Sequence, residues 1–231
     1  MPSLSGIKYR INSAFKFGRY DHRSVFAKIF VDRYWGDEES VSGIGSRMGQ
    51  TEHIRREMPR ILKQFNVNRL FDAPCGDLNW MKLVLAETKI DYHGGDIVPE
   101  VLEIARRNSP DPAYPFTVFD ITSDTFPTAD LWLCRDVLFH LSFANIWKVL
   151  ENFARSDVQL MLVTTHTEPN IRNRDIFTGD FRLIDLFSPP FSLPRATVLD
   201  RFPDYADPMP PRDMILLRRE DLAAHLQTVK H

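Results

Sequence analysis

From residue 67 to residue 165, short apolar runs alternate with segments of helical period, and few architectures accommodate that alternation. Residues 67–72, 92–97, 116–120, 129–134 and 158–165 read as strands. Helices are expected near 78–87, from Pro99 (a favourable first helical residue) to about 108, and from a Ser142 cap to about 154. Strands separated in this way predict a parallel sheet with helices on both faces. Two later strand candidates, 197–201 and 214–218, flank the proline cluster at 208–211 and suit an antiparallel edge. The expected fold is therefore α/β: a single Rossmann-like, doubly wound, mostly parallel sheet with an antiparallel C-terminal edge.

Before this core stands an N-terminal helical extension. Val25, Phe26, Ile29, Phe30 and Tyr34 recur at helical spacing over 21–35, and the glycine- and serine-rich stretch 42–46 then breaks the pattern. Thr51 suits the N-cap of a helix burying Ile54, Met58, Ile61, Leu62 and Phe65, which Pro59 should kink or split. We divide the chain into an extension, 1–65, packed on a core, 66–231. After the fifth strand, residues 166–211 are loop-rich and proline-rich, a connection long enough to serve as a substrate-facing lid.

Composition excludes several classes. A chain of 231 residues, 43% of them hydrophobic, can bury one sizeable core. A formal net charge of −2 argues against a protein that lives by binding nucleic-acid backbones. The first 35 residues are locally basic, with Lys8, Arg10, Lys16, Arg19, Arg23, Lys28 and Arg33 against Asp21 and Asp32. A solvated helix face, or a contact with an anionic substrate or membrane surface, would explain them. Cys75 and Cys134 are too few for a disulfide framework or a structural zinc site, and no metal is expected. No run is long and apolar enough for a membrane span and no signal-peptide pattern opens the chain, so a cytoplasmic protein is expected.

The polar residues collect at the carboxyl ends of the expected strands, where open α/β sheets bind ligands. Asp72, Gly76 and Asp77 follow the first strand, Asp96 the second, Asp120 the third, and Arg135 with Asp136 the fourth. Gly76 lets backbone approach a ligand closely, and Asp96 can accept hydrogen bonds from both hydroxyls of a ribose. A dinucleotide site wants three glycines, whereas this loop has one and carries two acids. Acids repel a pyrophosphate but suit the ammonium and sulfonium of S-adenosyl-L-methionine.

The order of these residues resembles the class I S-adenosylmethionine-dependent methyltransferases, with Asp72-Ala-Pro-Cys-Gly-Asp77 as the first motif and an acid after strand two. More narrowly, several blocks are similar to one largely uncharacterised subfamily. They include Trp35-Gly36, the 42–46 loop, Asn79-Trp80-Met81, Gly95-Asp96-Ile97-Val98, Leu133-Cys134-Arg135-Asp136 with His140-Leu141-Ser142, Asn173 with Asp175-Ile176, and Pro190-Phe191. Leu78 departs from the pattern, since many such enzymes keep a further glycine there. The resemblance implies that Asp96 holds the ribose, Ile97 packs on the adenine, and Asp120 with Ile121 meets its edge. Asp72, Cys75, Gly76 and Asp77 would then form the loop at the methionine end. Arg135 or the 42–46 loop would reach the methionine carboxylate.

The methyl acceptor is less legible. A hydroxyl acceptor benefits from a base, and His140 with Asp136 four residues earlier would share a face if the exit of strand four were helical. His140 has two open readings, a general base or a structural or substrate-orienting group, and His166 is a second candidate. Asn173, Asp175 and Arg182, with Asn170, Thr178, Phe177 and Phe181, would suit a polyhydroxylated acceptor such as a sugar, or else form a polar surface loop. The segment Ser188-Pro189-Pro190-Phe191 falls after strand five rather than strand four, which weakens a base N-methylation reading. The expected activity is O-methylation of a small molecule or glycan. A protein or RNA methyltransferase and a non-catalytic S-adenosylmethionine-binding module are the alternatives.

Overall fold

The computed structural model describes Gly18 and residues 21–229. Lys8, Arg10, Lys16 and Arg19 of the basic stretch lie outside the described residues. Seven strands form one sheet: β1 Arg69–Asp72, β2 Asp91–Asp96, β3 Phe116–Val118, β4 Leu131–Cys134, β5 Leu160–His166, β6 Val198–Pro203 and β7 Arg212–Arg218. Their order is β3-β2-β1-β4-β5-β7-β6. The first five are parallel, and β7 runs antiparallel to both β5 and β6. The helices are α1 His22–Val31, α2 Glu52–Gln64, α3 Met81–Glu87, α4 Pro99–Asn108, α5 Phe143–Arg155 and α6 Arg219–Leu226.

Strand side chains alternate between two apolar layers, as the period of two requires. Leu70, Leu131, Leu133, Leu162, Met214 and Leu216 face α2, α3 and α4. Phe71, Trp132, Cys134, Met161, Val163, Ile215 and Leu217 face α5, α6 and the buried Ile184, Leu186, Phe191 and Leu193. The helix after β1 therefore packs on one face and the helix after β4 on the other. Between the carboxyl ends of these two neighbouring strands the covering elements part, which is where such sheets leave a crevice.

Local chemistry sets the boundaries. Asp21 caps α1 by accepting the Ser24 N–H at 3.1 Å, and Ser142 caps α5 by accepting from Asn145. Pro59 lies inside one continuous α2 rather than splitting it. Thr51 does not cap that helix, because its hydroxyl donates back to the Arg47 carbonyl at 3.0 Å. The helix expected from residue 78 begins only at Met81, since Leu78 takes a left-handed conformation with φ 59°. Nothing in the reading of the sequence anticipated α6.

The long connection after β5 is not a cover over the crevice. Its Ile184, Leu186, Phe191 and Leu193 belong to the core while Phe177 and Phe181 stay exposed, and its polar residues staple it in place. Asn173 donates from Nδ2 to the carbonyls of Asp185, Ser188 and Pro189 at 2.8, 3.2 and 2.9 Å, and its Oδ1 accepts the Asp185 N–H at 2.9 Å. Asp175 accepts the Phe143 N–H at 2.7 Å at the start of α5. The cover is N-terminal instead. Asn173→Ala leaves this turn of backbone without its partners and is expected to cost about 2–3 kcal/mol. A lower urea midpoint at unchanged slope would show it.

Candidate functional site

A cleft of about 1090 Å³, counting its open mouth, lies over the carboxyl ends of β1, β2 and β4. Its floor comes from Asp72, Pro74, Cys75 and Gly76 after β1, Asp96 to Val98 after β2, Phe119 to Thr122 after β3, and Arg135 to Val137 after β4. The roof comes from α1 and the segment that follows it: His22, Phe26, Ile29, Phe30, Trp35, Val41, Ser42 and Ser46.

The loop after β1 is shaped by its backbone. The Cys75 N–H bonds the Gly95 carbonyl at 2.8 Å, and Gly76 adopts φ 58°. A Cβ at Gly76 would collide with the Ser42 hydroxyl, so glycine is needed both for its conformation and for the roof to approach. Asp96 accepts the Gly76 N–H at 3.2 Å on one oxygen and the Val98 N–H at 3.0 Å on the other. Both oxygens keep a further lone pair. Burial pushes the Asp96 carboxyl up to about 6, against the lowering effect of those N–H groups. Asp72 is more affected. Burial drives it up to about 8, offset only in part by the Tyr92 hydroxyl, which donates to it at 2.9 Å. Burial also raises the Cys75 thiol well above its usual range, so it is a packed wall rather than a nucleophile.

Asp77, expected beside Asp72 at the ligand, does not line the cleft. It accepts from the Ser40 hydroxyl at 2.9 Å, the Val41 N–H at 2.9 Å and the Asn79 N–H at 3.2 Å, and so anchors the roof segment. Asn79 adds bonds to Glu39 and to the Ser46 carbonyl. Asp120 does line the cleft, and α1 reaches it: His22 Nε2 lies 2.6 Å from its carboxylate, while the Thr122 hydroxyl and N–H bond its other oxygen at 2.7 and 2.9 Å. Burial alone would raise its pKa, yet the bonds from His22 and Thr122 outweigh it and hold the carboxyl well below the usual range.

Arg135 and Asp136 belong to a buried charge cluster. Arg135 Nε donates to Asp204 at 2.7 Å and Nη1 to the Gly45 carbonyl at 3.0 Å. Its Nη2 has no partner among the described residues. Arg212 grips Asp136 through Nε at 3.1 Å and Nη2 at 3.0 Å. Gly45 must be small here too, because a Cβ would sit 2.9 Å from Asp136. Burial would raise the Asp136 carboxyl, but Arg135 and Arg212 prevail and lower it.

The expected Asp136–His140 pair does not form. Asp136 is left-handed, with φ 54°, and only a single turn, Leu138–His140, follows it. His140 instead bonds the Asp180 carbonyl through Nδ1 at 2.8 Å, and Trp35 covers its ring with centroids 4.2 Å apart. A carbonyl can only accept, so Nδ1 carries the proton and Nε2 is left as a lone pair in the cleft. Burial lowers His140 to about 4, keeping the ring neutral at pH 7. None of Asn173, Asp175, Arg182 and the second candidate His166 lines this cleft. Asn173 and Asp175 are staples. Arg182 is buried, with Nη1 on the Leu138 carbonyl at 3.0 Å. His166 faces a separate cavity beyond β5, with Nδ1 accepting the Ile184 N–H at 3.2 Å.

His22, Trp35, Asp204 and Arg212 were missed as site residues. Trp35 stood in one of the recognised blocks without a role. For the others the sequence carries no signal, since each meets its partner only through packing of distant segments.

A sheet ordered 3-2-1-4-5-7-6 with a reversed seventh strand, and a cleft lined by strand-end acids, define the class I S-adenosylmethionine-dependent methyltransferase fold. No family model and no curated protein matches the chain in sequence. Solved structures do match. Magnesium protoporphyrin IX methyltransferase from Synechocystis, with bound S-adenosylmethionine, superposes with a TM-score of 0.57 at 12% identity, over 86% of this chain and 98% of that one. Human N-acetylserotonin methyltransferase, in complex with S-adenosylmethionine, gives 0.60 at 16% identity, over 86% and 60%. The methyltransferase domain of a bacterial Hen1 gives 0.52 at 19% identity, over 71% and 97%. Likeness at these identities establishes the fold. Among the described residues no helix is long and apolar enough to cross a membrane, and no cluster of metal-ligating side chains occurs.

The raised Asp72 carboxyl has a measurable consequence. Between about pH 4 and 8 the folded chain holds a proton there that the unfolded chain has lost, so this contribution to stability is complete at low pH and disappears as pH rises to 8. Asp72→Asn keeps an acceptor for Tyr92 and removes the titration. From pH 5 to 8 the wild type should lose about 2–4 kcal/mol relative to this variant. The buried histidines are common to both proteins and cancel. Parallel urea-midpoint curves would show that Asp72 is ionised throughout.

Proposed function

We propose that the chain is an S-adenosylmethionine-dependent methyltransferase that O-methylates a small molecule, and that the cleft under α1 is its active site. One observation carries the reading: strand-end carboxylates and an arginine with a buried, unpartnered Nη2 line a single cleft at the crevice between β1 and β4. The donor set fits the cofactor. Asp96, with lone pairs to spare, would accept from the ribose hydroxyls. Ile97 and Ile121 offer apolar surface to the adenine, and Asp120 an acceptor at its amino edge once His22 yields. Asp72, Cys75 and Gly76 would line the methionine end, where a bound cation would draw Asp72 from the neutral acid to the carboxylate, and Arg135 Nη2 would take the carboxylate of the cofactor. Asp77 would act through the roof segment it anchors.

Bound S-adenosylmethionine would supply an electrophilic methyl group on a sulfonium. The work left to the protein is then orientation, exclusion of water and removal of the acceptor proton. The α1 roof covers part of the cleft and would limit the access of water. His140 presents the base: its Nδ1–H is held by Asp180, and Nε2 is free to take a hydroxyl proton. Asp136 is committed to Arg212 and serves as a structural counter-ion rather than as the partner of that base. His166, Asn173, Asp175 and Arg182 take no part in acceptor binding at this cleft under the proposal.

Calorimetric titration with S-adenosylhomocysteine tests the cofactor assignment, and no heat from a folded sample at high micromolar ligand would overturn it. Asp96→Ala should weaken binding about 30- to 100-fold, corresponding to roughly 2–3 kcal/mol of lost charge-assisted hydrogen bonds. His140→Ala should leave that affinity within about threefold but lower kcat by about 10²–10⁴. A base whose pKa lies near 4 is neutral above that pH. Protonation of His140 should therefore cause no loss of kcat between pH 8 and 6, and an acid limb near 6.5 that disappears in His140→Ala would contradict this environment.

A further inference from the structure

The roof over His140 carries information about the acceptor. α1 crosses the cleft from Asp120, where His22 is bonded, towards His140, where Trp35 is stacked. The lining near His140 is apolar: Trp35 lies over its ring, Phe26 is 5.7 Å from Trp35 between ring centroids, Val137 and Leu141 flank His140 along the chain, and Phe30 lines the same cleft one helical turn beyond Phe26. The polar groups there are few and mostly spent. Asp136 is neutralised by Arg212 and bonded by the Thr164 hydroxyl at 3.2 Å. Nε2 of His140, the lone pair left by its Nδ1–H bond to Asp180, has no partner among the described residues.

Such a wall discriminates. Each hydroxyl or charge brought under it without a partner weakens binding, because it gives up its water and receives nothing in exchange. A polyhydroxylated sugar would strand several hydroxyls, because the polar residues of the connection after β5 that could have met them are turned into the core or elsewhere. A flat ring recovers its desolvation against Phe26, Phe30 and Trp35. A single O–H on that ring finds the lone pair of His140.

We infer that Phe26, Phe30 and Trp35 form an acceptor subsite for a neutral planar aromatic ring bearing one hydroxyl, which donates to Nε2 of His140. Trp35 is the specificity-determining residue. The inference rests on the methyltransferase reading only in calling this occupant the acceptor; the subsite stands or falls by binding.

The test uses the full chain with saturating S-adenosylhomocysteine and calorimetric titration of 2-naphthol, naphthalene, 2-naphthoate and methyl glucoside. 2-Naphthol should bind, with naphthalene and 2-naphthoate at least tenfold weaker and no heat from methyl glucoside. Trp35→Ala should weaken 2-naphthol at least tenfold, and Trp35→Phe at most threefold, with S-adenosylhomocysteine affinity unchanged in both. His140→Ala should remove the preference for 2-naphthol over naphthalene. Binding of methyl glucoside in preference to 2-naphthol, or 2-naphthol binding indifferent to both Trp35 variants, would overturn the subsite. Failure of 2-naphthol to bind a protein that takes up S-adenosylhomocysteine overturns the subsite alone. Failure of S-adenosylhomocysteine, with Trp35-dependent binding of 2-naphthol intact, overturns the cofactor reading alone.

Discussion

The parting of cover between β1 and β4 is the constraint on which the rest of the molecule depends. A strand followed by a helix on one face stands beside a strand followed by a helix on the other, so their carboxyl ends open into a crevice that neither helix fills. Backbone and side chains at those ends are not covered by the core, which makes this the place where buried acids can be tolerated. Asp72 and Asp96, at the ends of β1 and the neighbouring β2, and Asp120, after β3, line the cleft that opens there, each with a different solution to its burial. Asp120 is held ionised by a histidine and a threonine, Asp96 accepts backbone N–H groups, and Asp72 is driven towards the neutral acid.

A crevice with apolar walls still has to be covered, and the chain covers it from its N-terminal side. The roof is not held by hydrophobic contact alone. Asp77 ties residues 40 and 41, Asn79 ties residue 46, Arg135 ties residue 45 and Asp120 ties His22. Four ties from floor to roof place Trp35 against His140 and fix what the cleft can take. The same interactions explain why the loop after β1 has its composition: Gly76 is required by the approach of Ser42, and Asp77 ties the roof.

The partly buried His140 and the buried His166 differ in chemistry because of one bond each. His140 donates from Nδ1 to a carbonyl and therefore presents a lone pair, whereas His166 accepts at Nδ1 from an N–H and therefore carries its proton on Nε2. Burial lowers both to about 4. The geometry of the partner, not the acidity of the ring, separates them.

Much of the fold was legible because strands and helices follow periodicities of two and 3.6 that adjacent residues already express. The helix at Pro99–Asn108, the Ser142 cap and the antiparallel C-terminal pair all follow from such local patterns. The positions of the strand-end acids were legible for the same reason, since a strand's last residue is a local property. Partnership is not. That Asp77 bonds Ser40, that Asp136 bonds Arg212 rather than His140, and that Asn173 and Asp175 staple the connection after β5 depends on partners 12 to 76 positions away, or on a left-handed residue no periodicity reveals. Local propensity and hydrophobic period thus determined the elements and where their polar ends lie. Only packing decided which charges neutralise one another, and so which side chains are left to face a ligand.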